Sequence, residues 1–216
     1  MKLKKSLVLV LIVVLMAAML TGCFGIKMED LAGVWHMEVQ DSAEQARELL
    51  DSIEAYEEEI ALADLNSLKY VKVVEFHEDK TYCYYADAEG TMDFVRAFYE
   101  GYFAALYEGR ATLSEAYGGE DFASMDEATF QQYYADLYGY ATYAELVDAF
   151  TKNAYDYAAL EEPSETGTFT ISGDMIKCTE TGNSYDEGME ATIYGDNNEH
   201  LTLTYSNGTE NYIRVD

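Results

Sequence analysis

Runs of residues that alternate between apolar and polar, lying within 33–86 and 167–215, enclose a stretch from about 88 to 165 in which apolar residues recur three and four positions apart. Period-two alternation marks a half-buried strand, and the three-to-four spacing marks the buried stripe of a helix. Gly33-Val34-Trp35-His36-Met37-Glu38-Val39 sends Trp35, Met37 and Val39 to one side. Runs 70–76 and 81–86 flank the polar turn His77-Glu78-Asp79-Lys80. Beyond Pro163, further runs at 167–171, 175–179, 189–194, 201–205 and 212–215 bring the strands to eight. Ser172-Gly173-Asp174, Gly195-Asp196-Asn197-Asn198 and Asn207-Gly208 supply hairpin turns. Asn207-Gly208-Thr209 also has the form of a glycosylation sequon but reads as a turn.

The helical stretches carry their own start signals. Ser42-Ala43-Glu44-Gln45 is a capping box, followed by Ala46, Leu49, Leu50, Ile53, Tyr56 and Ile60 on one face that is expected to pack against the sheet. Three helices are expected within 88–165. Thr91 leads into Phe94, Val95, Phe98, Tyr102 and Leu106 and ends near Gly109. Ser124-Met125-Asp126-Glu127 reads as a second box ahead of Phe130, Tyr133, Tyr134 and Leu137, with Gly139 as the residue past the helix end. Thr142-Tyr143-Ala144-Glu145 reads as a third, ahead of Val147, Phe150, Ala154 and Tyr157. No solenoid repeat, low-complexity linker or heptad run is present.

At the N-terminus, Lys2, Lys4 and Lys5 precede an apolar run from Leu7 to Leu20, too short to span a bilayer comfortably and laid out like a secretory signal. It ends in Leu20-Thr21-Gly22-Cys23, which resembles the lipobox of bacterial lipoproteins. That resemblance implies a signal peptide over 1–22, lipidation of Cys23, a tether over 23–30 and an extracytoplasmic domain over 31–216. Two or more acyl chains anchor stably without a transmembrane helix.

The chain carries 13 Lys+Arg against 41 Asp+Glu, a net charge of -28. Loss of the three leader lysines makes it more acidic still. Such a charge repels nucleic-acid phosphates and anionic headgroups, so the lipid on Cys23 is the expected link to the membrane and nucleic acid is excluded as a partner. With 49% hydrophobic residues the chain is nonetheless a folding one.

The eight strands in meander order, Gly33-Val34-Trp35 in the first and Tyr212-Ile213-Arg214 in the last, resemble the lipocalin-like domains of bacterial lipoproteins over residues 31–87 and 166–216. The resemblance implies an α+β architecture: an eight-stranded antiparallel up-and-down β-barrel, with a helix after strand 1 and a three-helix insertion (88–165) between strands 3 and 4. It also implies that Arg214 packs on the Trp35 ring to close one end, a cation–π contact worth about 0.5–2 kcal/mol. The expected inward set is Trp35, Phe76, Phe169, Ile171, Ile176, Ile193, Leu201, Leu203 and Tyr212.

Chemistry is sparse. No Gly-x-Ser-x-Gly, phosphate loop or His-x-x-x-His pair occurs, and no catalytic residue, cofactor or metal is expected. His36, His77 and His200 read as solvated or packed imidazoles. Asp196-Asn197-Asn198-Glu199 lacks the ligand spacing of a calcium loop. Cys83 and Cys178 fall in strand-like runs and are either bridged or two separate thiols. Of 20 tyrosines, Tyr102, Tyr133, Tyr134 and Tyr143 read as helical core, whereas Tyr117, Tyr138 and Tyr140 near helix ends are candidate ligand or partner contacts. The expected function is non-catalytic binding of a small apolar or amphipathic ligand in the barrel. The alternative is a surface module presenting the Tyr-rich insertion to a protein or glycan.

Overall fold

The computed structural model describes residues 25–118, 121–155, 157–160, 162–181 and 186–215. The expected signal segment 1–22 and Cys23 lie outside the described residues. Eight strands, β1 (Gly33–Gln40), β2 (Lys69–Phe76), β3 (Thr81–Ala86), β4 (Glu165–Ser172), β5 (Met175–Glu180), β6 (Asp186–Tyr194), β7 (His200–Tyr205) and β8 (Gly208–Arg214), form a closed antiparallel barrel in sequence order. Helices are interleaved: α1 (Met28–Leu31), α2 (Ala43–Ser52), α3 (Glu57–Ile60), α4 (Ala88–Glu108), α5 (Arg110–Tyr117), α6 (Glu127–Leu137), α7 (Tyr143–Ala154) and α8 (Tyr157–Leu160), with a 3₁₀ turn at Phe122–Ser124. The described residues form two compact units, one holding residues up to 35 with 75–83 and 165 onward, the other 36–74 with 84–164.

The first unit is organised by alternation. Trp35, Phe76, Tyr82, Phe169, Ile176, Cys178, Met189, Ala191, Leu201, Leu203 and Tyr212 are buried, one strand face after another, and each large side chain so buried contributes about 1.5–3 kcal/mol. Phe76 meets Phe169 edge-on at 5.2 Å and Tyr82 at 6.3 Å. Ile171 and Ile193, expected inward, are only half-buried, because they sit near strand ends where the barrel wall stops. Gly167 is buried against the Thr179 carbonyl and the Tyr82 ring, and a Cβ there collides with both. The turn after β7 is Ser206-Asn207, not Asn207-Gly208: Gly208 already pairs with Tyr205. Residues 25–30, expected as tether, are held in place by the Ile26 N–H on the Gly173 carbonyl and by the start of α1.

Closure between β8 and β1 uses the Val215 N–H on the Val34 carbonyl at 3.0 Å. Over this seam the Arg214 guanidinium lies 5.2 Å from the Trp35 ring centre and donates to the carbonyls of Asp30 and Ala32. Trp35 Nε1 donates to the Leu31 carbonyl at 2.9 Å. Arg214→Ala is expected to cost about 1–3 kcal/mol, and Arg214→Lys to recover little, since an ammonium cannot span two carbonyls and cover the indole. Trp35 is the single tryptophan, so its fluorescence in a urea titration reads this seam directly. An Ala variant with the wild-type midpoint would remove the seam from the stability account.

The second unit is helical in its core. The capping box at Ser42 forms, with the Gln45 N–H on Ser42 Oγ and the Ser42 N–H on Gln45 Oε1. Ala46, Leu49 and Leu50 join one cluster with Val95, Phe98, Tyr99, Tyr102, Phe103, Phe130, Tyr134, Leu146, Val147 and Phe150. The expected single helix over 42–60 is two helices. Glu54 takes φ 60°, and the Ala55 N–H closes on the Leu50 carbonyl while the Glu54 N–H closes on Asp51. This is a Schellman ending, with glutamate where glycine is usual.

The expected three-helix insertion holds five helices and a 3₁₀ turn among its described residues, and two caps are displaced. Asp87, not Thr91, caps α4 by accepting from the Gly90 N–H. Thr91 is buried instead and accepts from the Val71 N–H. Asp126, not Ser124, caps α6 through the Thr129 N–H. Thr142 caps α7 as expected, but Glu145 reaches back to the Ala141 N–H rather than that of Thr142. Gly139 takes φ 80° just past α6, the left-handed ending expected of it.

Candidate functional site

The local backbone around α3 explains why one carboxylate leaves water. Glu57, Glu58 and Glu59 fill a single helical turn, so only one can face inward with Ile60. Glu57 is exposed and pairs with Arg47 at 2.5 Å. Glu59 turns inward and is 3% exposed. Its Oε2 accepts from the Tyr56 N–H at 3.1 Å and the Tyr102 hydroxyl at 3.2 Å, while Oε1 accepts from the Tyr134 hydroxyl at 2.7 Å. A carboxylate offers about four lone-pair sites, so one on Oε1 is left over. All three donors are neutral, and among the described residues no cation pairs with Glu59.

Beside this carboxylate lies a pocket of about 330 Å³ lined by Tyr56, Glu59, Tyr117, Phe122, Tyr133, Tyr134 and Leu137. Its walls are a chain of edge-on rings: Tyr56 to Tyr117 at 5.5 Å, Tyr117 to Phe122 at 6.1 Å, Phe122 to Tyr133 at 5.1 Å and Tyr133 to Tyr134 at 5.5 Å. Tyr56, 60% exposed, and Leu137, 56% exposed, leave it accessible from water. Among the described residues the enclosed Tyr117 hydroxyl has no partner in good hydrogen-bond geometry. Burial, then the Glu59 charge, pushes its pKa well above the ordinary tyrosine range. The same causes raise Tyr102, and burial followed by its hydrogen bond to Glu59 raises Tyr134, so the hydroxyls remain donors at neutral pH.

The tyrosines singled out from sequence are thus dispersed. Tyr117 lines the pocket beside Glu59. Tyr138 lines another, of about 390 Å³, with Ser52, Ile53, Glu54, Tyr99, Phe150 and Asn153. Tyr140 packs on Phe150 at 6.4 Å. Tyr102 and Tyr134 are buried, as read, while Tyr133 and Tyr143 are only partly so. Tyrosine in this insertion is chiefly core, packed ring on ring. Glu59 was missed in the sequence. The signal available was its place beside Ile60 and three residues after Tyr56, on the apolar stripe itself.

In the first unit, Cys83 and Cys178 are not bridged. Cys178 is buried in line with Ile176, whereas Cys83 sits between buried Tyr82 and Tyr84 and so faces the other side of its strand. Burial, then Glu75, pushes the Cys83 thiol up from its usual pKa. Of the three histidines, His77 alone joins a ligand cluster among the described residues, with Glu75 and Cys83. His200 stacks on Tyr194 at 4.9 Å. The turn Gly195–Glu199 is structural, its Asn198 side chain donating to Asp30 at 2.8 Å.

The fold and site together define a closed antiparallel β-barrel bearing a helical insertion with an acid-floored aromatic pocket. Comparison of the chain with protein-family profiles, curated proteins and solved structures finds no match.

Proposed function

We propose that this is a non-catalytic, extracytoplasmic binding protein, held to the bacterial membrane by lipid on Cys23. In this reading a lipocalin-like barrel is the scaffold, and the recognition site is the pocket of the helical unit. The expected capture site in the barrel interior is set aside, because Trp35, Phe76, Phe169, Ile176, Leu201, Leu203 and Tyr212 crowd it. The ligand is an amphipathic small molecule that carries an ammonium group on an apolar body.

One observation carries the reading: Glu59 is buried, has no cationic partner among the described residues, and borders an aromatic pocket open to water. A buried charge without a counter-charge is costly, and a ligand ammonium relieves that cost. Aromatic faces favour the same charge. The pocket volume falls in the small-ligand range, and the net charge of -28 raises the local concentration of cations.

Calorimetry with 2-phenylethylamine and with 2-phenylethanol tests the reading on the chain from Phe24 onward, which contains every described residue. The amine is expected to bind at least about tenfold more tightly than the alcohol, a difference of about 1.4 kcal/mol. Glu59→Gln is expected to erase that preference while the protein stays folded. Equal binding of both probes, binding of neither, or an unchanged preference in the Gln variant would overturn it.

A further inference from the structure

We propose that Glu75, His77 and Cys83 form a metal site for a zinc-class divalent cation on the β2–β3 hairpin, independent of the aromatic pocket. One donor atom from each lies within 4.8 Å of the others, with His77 Nδ1 3.4 Å from a Glu75 carboxylate oxygen. Thiolate, imidazole and carboxylate make up the usual donor set for zinc. Soft sulfur with nitrogen disfavours magnesium and calcium, which take oxygen ligands.

The hairpin explains why three residues far apart in type and spacing meet. The His77 N–H bonds the Thr81 carbonyl at 2.9 Å, placing those two residues across from each other. Two steps along the strands, Glu75 comes across from Cys83, and alternation puts all three on one face. The opposite face carries Phe76 and Tyr82, buried and in ring contact. Those rings fix the strands from below.

The turn is fixed as well. Lys80 takes φ 69°, its N–H bonds the His77 carbonyl at 3.0 Å, and Asp79 accepts from the Thr81 N–H at 3.0 Å and the Thr81 hydroxyl at 2.6 Å. The ligand positions therefore stand on a rigid element, as a preformed site requires.

Donors around a tetrahedral zinc stand roughly 3.5 Å apart, so side-chain rotation of about 1 Å closes the set without moving backbone. Three protein ligands leave the fourth position to water or to a further donor. On binding, Cys83 Sγ forms the metal bond and its proton passes to solvent. All three residues are half-buried rather than sealed, so an ion can enter from water.

Cobalt(II) titration of the untagged chain from Phe24 onward tests the proposal, because that chain lacks Cys23 and carries only Cys83 and Cys178. A thiolate-to-cobalt charge-transfer band saturating at one equivalent, and bleached by zinc, is expected. Cys83→Ser is expected to abolish the band and Cys178→Ser to leave it, with far-ultraviolet circular dichroism verifying the fold of each. His77→Ala and Glu75→Ala are each expected to weaken binding about tenfold or more. No band in the wild-type chain, or a band that survives Cys83→Ser, would overturn the site. The aromatic pocket stands or falls separately on its amine preference.

Discussion

Raised from pH 10 toward 12, the protein is expected to unfold in one steep transition in which tyrosinate absorbance and loss of secondary structure appear together. Burial pushes Tyr99 and Tyr143 up to about 12. Tyr82, Tyr102, Tyr117, Tyr134, Tyr138 and Tyr155 are driven higher still, first by burial and then by neighbouring carboxylate charge or, for Tyr82 and Tyr134, by a hydrogen bond to a carboxylate. An unfolded tyrosine titrates near 10. Below that pH both states keep their phenolic protons and stability is at its full value. Between 10 and 12 the unfolded chain releases protons that the folded chain retains, so stability falls as pH rises.

The magnitude follows from one residue. Tyr99 is 1% exposed, and its displacement from about 10 to about 12 amounts to roughly 2 kcal/mol lost by pH 12. Several buried tyrosines lose stability over the same interval, and a domain has only about 5–15 kcal/mol in total. Absorbance of tyrosinate and far-ultraviolet circular dichroism, followed on the same samples, check the result. Gradual titration centred near pH 10 with helix and sheet intact would show that these rings are wetter than their packing indicates.

The second large effect is expected at Glu59, where two substitutions separate charge from hydrogen bonding. Glu59→Ala leaves the Tyr102 and Tyr134 hydroxyls and the Tyr56 N–H without their acceptor. Each orphaned group costs about 1–3 kcal/mol, and the loss of one member of a buried polar cluster costs roughly 3–5 kcal/mol. Glu59→Gln keeps an acceptor oxygen and removes a buried charge that lacks a counter-ion, so its stability is expected within about 1 kcal/mol of wild type. Urea unfolding of both variants gives the comparison. An Ala variant that loses less than about 1 kcal/mol would mean that the tyrosine hydroxyls find other partners. A Gln variant as damaged as Ala would mean that the charge itself holds the cluster.

These two predictions draw on parts of the molecule that differ in how readable they are. The eight strands are legible because alternation and turn residues act locally: Gly173 at φ 66° and Gly195 at φ 97° mark hairpin turns that any reader of the chain can place. Helix starts are half-legible. Asp87, Thr91, Ser124 and Asp126 are all competent caps, and the choice among them rests on tertiary demand. Thr91 is needed inside, under the Val71 N–H, so Asp87 takes the end. The break at Glu54 has no glycine to announce it. Ala46, Leu49, Leu50 and Ile60 still share one core across the break.

By itself the sequence determined the eight strands, their order and the fact that apolar faces exist to close a barrel and fill a helical core, because periodicity and turn chemistry need only near neighbours. Which of 41 acidic residues would be stripped of water was decided by tertiary structure alone. Glu59 is buried because tyrosines 43 and 75 positions away converge on it. Glu75, His77 and Cys83 meet because one register, set by a turn, aligns them. A side chain's chemistry is written in the sequence, but its solvent and its partners come from chain that lies far off.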